Sequence, residues 1–116
     1  MKKFQLGEFE EIVMLTVAIL YDNAYGVSIK KDIESRLDRK VSVGALQSAL
    51  KRLEDKKYLQ SHDGDATQER AGRPKRFYKL TSLGKEAMEY TRSTRNSLWD
   101  AIPGISLDIK FSWNKA

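Results

Sequence analysis

The segment that most constrains this chain is Ile12-Val13-Met14-Leu15-Thr16-Val17-Ala18-Ile19-Leu20, which is apolar on nearly every side when wound as a helix. Glu8, Glu10 and Glu11 stand just before it, where a helix dipole favours negative charge, and Asp22-Asn23 closes it with a turn signal. Such a helix needs cover all round. A chain of 116 residues can cover one face from within. The other face is expected to meet a second subunit, with Phe9, Val13, Thr16 and Val17 as the candidate contacts.

Two more helical patterns succeed it along the chain. Ala24-Tyr25-Gly26 leads into a second helix with Ile29, Ile33 and Leu37 at steps of four. Ser42 is a good N-cap for a third, predicted over Val43 to Lys57, whose apolar stripe is Leu46, Leu50 and Leu53. Three helices joined by short turns make a helix-turn-helix layout. The period then changes. Tyr58-Leu59-Gln60-Ser61-His62 and Arg76-Phe77-Tyr78-Lys79-Leu80 read as strands, and the polar loop from Asp63 to Lys75 joins them into a hairpin "wing".

Thr81 or Ser82 caps a fourth helix running toward Trp99, with Leu83, Ala87, Tyr90 and Leu98 as contact positions. After Pro103-Gly104, the run from Ile105 to Trp113 alternates apolar and polar residues, which predicts an extended arm or strand. That arm either folds back on its own subunit or crosses to the other. The expected fold is mainly α with a small β-hairpin wing: a winged helix-turn-helix followed by a C-terminal helix and an extended tail. Residues 1–81 form the expected winged helix-turn-helix domain, and residues 82–116 the dimerisation helix and tail.

Composition narrows the function. At 41% hydrophobic and 32% charged residues the chain is of the globular kind. Its longest apolar run, Ile12 to Tyr21, falls well short of the ~18 residues of a membrane span, so no membrane partner is expected. The N-terminus lacks the apolar core of a secretory signal. Cysteine is absent, which removes disulfides, thiolate metal sites and thiol catalysis and agrees with a reducing, cytoplasmic setting. The net charge of +5 is unevenly placed. Met1–Glu69 carries 11 Lys+Arg against 12 Asp+Glu, whereas Arg70–Arg95 carries 8 against 2. A focus of this kind attracts polyanions, although a solvated basic face would give the same count.

The third helix and the wing together suggest the polyanion. Gly44, Gln47 and Ser48 are compact polar positions near the N-terminal end of the helix that Ser42 caps, where major-groove readers contact base edges. Gln47 could pair bidentately with adenine. Lys51 and Arg52 lie one turn further on, where phosphates are expected. In the wing Arg70, Arg73, Lys75 and Arg76 fall within seven residues, and Gly72 and Pro74 hold an open course suited to a sugar-phosphate backbone or a narrow minor groove. Asp63, Asp65 and Glu69 oppose this and are expected to face away or to temper non-specific binding. Double-stranded DNA is the expected partner.

Four ordered motifs carry a family resemblance: Gly7-Glu8-Phe9-Glu10-Glu11-Ile12-Val13; Ala24-Tyr25-Gly26-Val27-Ser28-Ile29; Ser42-Val43-Gly44-Ala45-Leu46 with Leu50-Lys51-Arg52-Leu53-Glu54; and Gly72-Arg73-Pro74-Lys75-Arg76-Phe77-Tyr78-Lys79-Leu80-Thr81 with Gly84. Over about residues 6 to 90 the chain resembles the PadR-type transcriptional regulators. The resemblance implies a winged-helix homodimer, usually a repressor, joined through its first and C-terminal helices on an inverted-repeat operator. It also implies Leu98 and Trp99 as interface residues, and Trp99 as the candidate contact for a small aromatic effector. Where many members carry Tyr-Pro in the recognition helix, this chain has Gln47-Ser48, so base preference does not transfer.

Catalysis finds little support. His62 is the lone histidine, Asp63 beside it on a strand would point to the opposite face, and neither a phosphate-binding glycine loop nor a metal-ligand cluster is present. No catalytic residue, metal or cofactor is expected. The competing readings are a winged helix used for protein contacts, or an architectural nucleic-acid binder without sequence readout.

Overall fold

A computed structural model describes residues 4–66 and 74–106. Helix α1 spans Glu8–Leu20 and ends in a single 3-10 turn, Tyr21–Asn23; α2 spans Gly26–Leu37 and α3 spans Val43–Asp55. Strands β1 (Leu59–Ala66) and β2 (Pro74–Leu80) form an antiparallel hairpin, and α4 runs from Ser82 to Ala101.

Local chemistry explains the boundaries. The Ser42 hydroxyl accepts from Ala45 N–H at 3.0 Å to start α3, and the Thr81 hydroxyl accepts from Gly84 N–H at 2.9 Å to start α4. α2 ends at Asp38 in the left-handed region, φ 50°. α3 stops two residues short of the expected Lys57, because Lys57 itself adopts φ 68° and turns the chain into β1. Both strands exceed expectation at the tip. Pro74 can open β2 because a first strand residue need not donate, and the pairing is interrupted by a register shift between Asp63 and Ala66. Gly64 sits there, with space only for hydrogen: a Cβ would stand 2.5 Å from the Phe77 ring.

The core gathers one side of every helix. Val13, Met14 and Val17 of α1, Ile29 and Ile33 of α2, and Leu46, Leu50 and Leu53 of α3 are each within 2% of complete burial, joined by Tyr58, Leu59, Tyr78 and Ala87. The hairpin is fastened to the start of α2: Tyr25 bridges Phe77, and Tyr78 N–H donates to Ala24 O at 2.8 Å.

Two expectations need correction. Val13, Thr16 and Val17 are not outward-facing contacts for a second subunit. They are 0%, 4% and 1% exposed within their own chain and have no surface left to give, while the outer face of α1 is formed by Leu15 and Ile19. Phe9 is half-buried, packed on the core beneath the Arg39 guanidinium. The predicted extended arm also fails at its first residues. Ile105 and Ser106 lie in a helical turn that Pro103 initiates with its fixed φ, and Ser106 N–H donates to Pro103 O at 3.0 Å. The rest of that segment, Leu107 to Trp113, lies outside the described residues.

α4 divides into two parts. Gly84, Ala87, Met88 and Thr91 face the domain, whereas every residue from Arg92 to Ala101 is exposed. Leu98 and Trp99 are 65% and 69% exposed on this free half.

Candidate nucleic-acid interface

α3 presents one continuous open face. Ser42, Gly44, Gln47, Ser48, Lys51 and Arg52 are all exposed, opposite the buried Leu46, Leu50 and Leu53 stripe. No neighbour lies within 4 Å of a Cβ placed on Gly44, so this turn can come close to another surface. The helix-turn-helix angle is held by Glu34 of α2. Its carboxylate accepts Val41 N–H at 2.8 Å and Lys30 Nζ at 3.1 Å. These bonds keep its pKa below the ordinary glutamate value.

The wing's base joins this face. Gln47 Nε2 is 3.4 Å from the Cβ position of Gly26, and a cleft of about 220 Å³ runs between Tyr25, Lys30, Val43, Gln47 and Arg76. Lys75 Nζ sits 4.3 Å above the Tyr25 ring, a cation–π contact that holds the wing to α2. Phe77 packs edge-on against Tyr25 and stacks with the exposed His62. Arg70 and Arg73, the cations nearer the wing tip, lie outside the described residues, as does Glu69.

Carboxylates sort the remaining cations in ways the sequence did not signal. Asp63 does not face away: its Oδ1 lies 3.6 Å from Arg76 Nη1, and Glu54 Oε2 lies 4.0 Å from Arg76 Nη2. Glu54 also accepts the Ser61 hydroxyl at 2.5 Å. Burial, with the Glu54 charge adding to it, raises the pKa of the neighbouring Tyr78. Lys51 reaches Asp55 at 4.0 Å, both well exposed, a pair too solvated to hold the lysine. Arg52 Nε donates to Glu10 Oε2 at 3.0 Å, and Lys56 Nζ to Glu10 Oε1 at 3.0 Å. Lys30 and Glu10 were not anticipated at the site. Lys30 could have been found from its place one turn into α2, behind the Tyr25-Gly26 start.

Among the described residues no cluster of His, Asp and Glu could hold a metal ion, and no helix is long and apolar enough to cross a membrane. A helix-turn-helix with an open third helix, flanked by a hairpin rich in cations, defines a winged-helix DNA-binding protein. The model of the transcriptional regulator PadR-like family matches residues 14–90. The chain belongs to that family, whose members are transcription regulators and not enzymes.

Solved structures agree. A PadR-like transcription factor from Bacteroides fragilis is 26% identical with a TM-score of 0.70, the match covering 84% of this chain and 88% of that one. A PadR family transcription regulator from a hypervirulent Clostridium difficile is 26% identical at a TM-score of 0.61, covering 79% and 92%. A protein from Streptococcus mutans is 25% identical at 0.62, covering 91% and 93%. No curated protein sequence matches the chain.

Proposed function

We propose that this regulator is a repressor that binds an inverted-repeat operator as a homodimer, reading bases with α3 and gripping flanking backbone with the wing. The observation that carries the DNA-reading half is the open α3 face, on which Gly44, Gln47, Ser48 and Lys51 are exposed together beside the wing's base. Gln47 and Ser48 would contact base edges. Ser42, Lys51, Arg52, Lys75, Arg76, Arg70 and Arg73 would contact phosphates.

The dimer half rests on the free end of α4. Leu98 and Trp99 are large apolar side chains left in water on the half of α4 beyond Thr91, where every residue is exposed. Together with Leu15 and Ile19 of α1 they supply an apolar surface for the same surface of a second copy, so that residues 82–116 serve as the dimerisation unit and residues 1–81 as the DNA-binding unit. Pairing of this kind would set two α3 helices about one DNA turn, roughly 34 Å, apart. Trp99 lines a cleft of about 510 Å³ between α1 and α4, with Leu15, Met88 and Arg92. A small aromatic effector binding there would act on the dimer angle, and promoter occupancy would exclude polymerase in the cytoplasm.

The test is selection of bound duplexes from a random pool at fixed salt near physiological strength, paired with sedimentation of the free protein. A two-fold symmetric motif and a dimer are expected. Binding without a motif would point to an architectural role, and no binding to a winged helix used for protein contacts.

A further inference from the structure

Glu10 lies in the first turn of α1, yet it reaches Arg52 on the open face of α3 and Lys56 just beyond the end of that helix. Its side chain is only 7% exposed. Oε1 accepts the N–H of Gly7 at 2.9 Å and Lys56 Nζ at 3.0 Å, and Oε2 accepts Arg52 Nε at 3.0 Å. Lys56 is committed further, donating to Gln5 O at 2.9 Å. Arg52 is held differently. The bond runs through Nε, which leaves both Nη groups unused by Glu10, and the side chain remains 54% exposed. A guanidinium has five donors in a rigid plane, so fixing one edge fixes the direction of the other.

We propose that Glu10 is a positioning residue for DNA binding: it fixes α3 against α1 and holds the Arg52 guanidinium ready for a phosphate. This rests on the reading that α3 enters the groove. A free surface arginine loses rotamer freedom when it meets DNA, whereas one already held by a carboxylate has less to lose. The same carboxylate removes one positive charge from the sum felt by any duplex. Glu10 therefore lowers sequence-blind attraction while keeping the aligned contact, and both effects favour discrimination between sequences. Arg52 on α3, Lys56 at the cap just after it and the Gly7 backbone are the groups that meet this carboxylate.

The experiment measures affinity for two probes of about 30 base pairs, three DNA turns, at one salt concentration. One carries the symmetric motif recovered by selection, and the other is a mixed sequence of equal length. In E10Q the ratio of the two affinities should fall about tenfold, through weaker binding to the motif and equal or tighter binding to the mixed duplex. R52Q should lower the ratio similarly, and E10Q/R52Q should add nothing to R52Q alone. A folded E10Q with the parent's ratio, well below its melting temperature, would show that Glu10 is merely structural. Should E10Q not fold, R52K carries the test. It keeps the charge but lacks the planar fork, so a parental ratio in R52K overturns the proposal. If the parent binds both probes alike, the DNA-reading function fails first and the positioning role falls with it.

Discussion

Gly84 is where the junction between the DNA-binding unit and α4 leaves least room, and G84A should destabilise the protein although it places a better helix former in a helix. A Cβ at this position would stand 2.1 Å from the carbonyl oxygen of Tyr58, 2.9 Å from its carbonyl carbon and 3.1 Å from Met14 Cε. The methionine end can swing aside; the Tyr58 carbonyl cannot. It accepts Thr81 N–H at 3.1 Å, and the Thr81 hydroxyl donates to Lys57 O at 2.6 Å while accepting Gly84 N–H at 2.9 Å. Relieving the clash means drawing the first turn of α4 away from this backbone. Overpacking of this sort costs about 1–3 kcal/mol, and here the upper part of that range applies because the obstacle is backbone. Loss of the Thr81 cap geometry adds about 1 kcal/mol, and the helix propensity of alanine returns up to about 1 kcal/mol. The net is about 2–3 kcal/mol, or roughly a 10 °C fall in melting temperature for a domain of this size. G44A is the control, since its Cβ meets nothing within 4 Å; it should hold or gain up to about 1 kcal/mol. Thermal melts at one fixed protein concentration decide the matter. A monodisperse G84A that melts with its parent, or above it, would refute the packing argument.

Acid should expose the Glu10 clamp. Burial alone would raise this carboxyl's pKa, but the hydrogen bonds from Gly7, Lys56 and Arg52 outweigh burial and leave it below the ordinary 4.5. A depressed folded pKa contributes stability that is present above the unfolded value and lost as pH falls through the folded one. The gap in stability between parent and E10Q, read by urea unfolding, should therefore be constant near neutrality and close below pH 4.5; a gap that widens there would contradict the assignment. Replacing Leu98 and Trp99 by serine should leave the unfolding of dilute, monomeric protein unchanged, because both side chains are largely in water, yet raise the dimer dissociation constant by at least about tenfold, read by sedimentation. Q47A should relax preference at particular bases by about 1–3 kcal/mol. R73A should weaken all duplexes and flatten the salt slope by about one unit, measured by titrations across salt concentrations; identical behaviour of the two variants would sink the division of labour between α3 and wing.

The fold was legible because its signals are local. The stripe of Leu46, Leu50 and Leu53, the Ser42 and Thr81 caps, and the change of period at Tyr58 each depend on neighbours a few residues away, and each element forms where those patterns put it, apart from the end of α3 and the wing tip. The side of α1 that faces inward was not legible. Leu15 and Ile19 have the same chemistry as Val13 and Val17, and only the packing of α2 and α3 against one side separates exposed from buried. The helical turn at Ile105 was hidden for a related reason, since alternation in sequence carries no weight where Pro103 has already set the backbone.

The site was legible as a set of cations and illegible as to which of them a polyanion could engage. Along the sequence Lys51, Arg52, Lys56 and Arg76 count equally. In space Lys56 is bonded to both Glu10 and Gln5, Arg52 is tethered by one edge, Arg76 is shared between Asp63 and Glu54, and Lys51 has a solvated partner. The separations in sequence, 42 residues from Glu10 to Arg52 and 46 to Lys56, exceed anything helical periodicity reports. Glu10 itself carried a sufficient local explanation, a negative charge at a helix start, which masked its distant one. For a protein whose partner is a polyanion, the carboxylates are thus the informative residues: they decide which part of a basic surface attracts DNA in general and which part is kept aligned for one sequence.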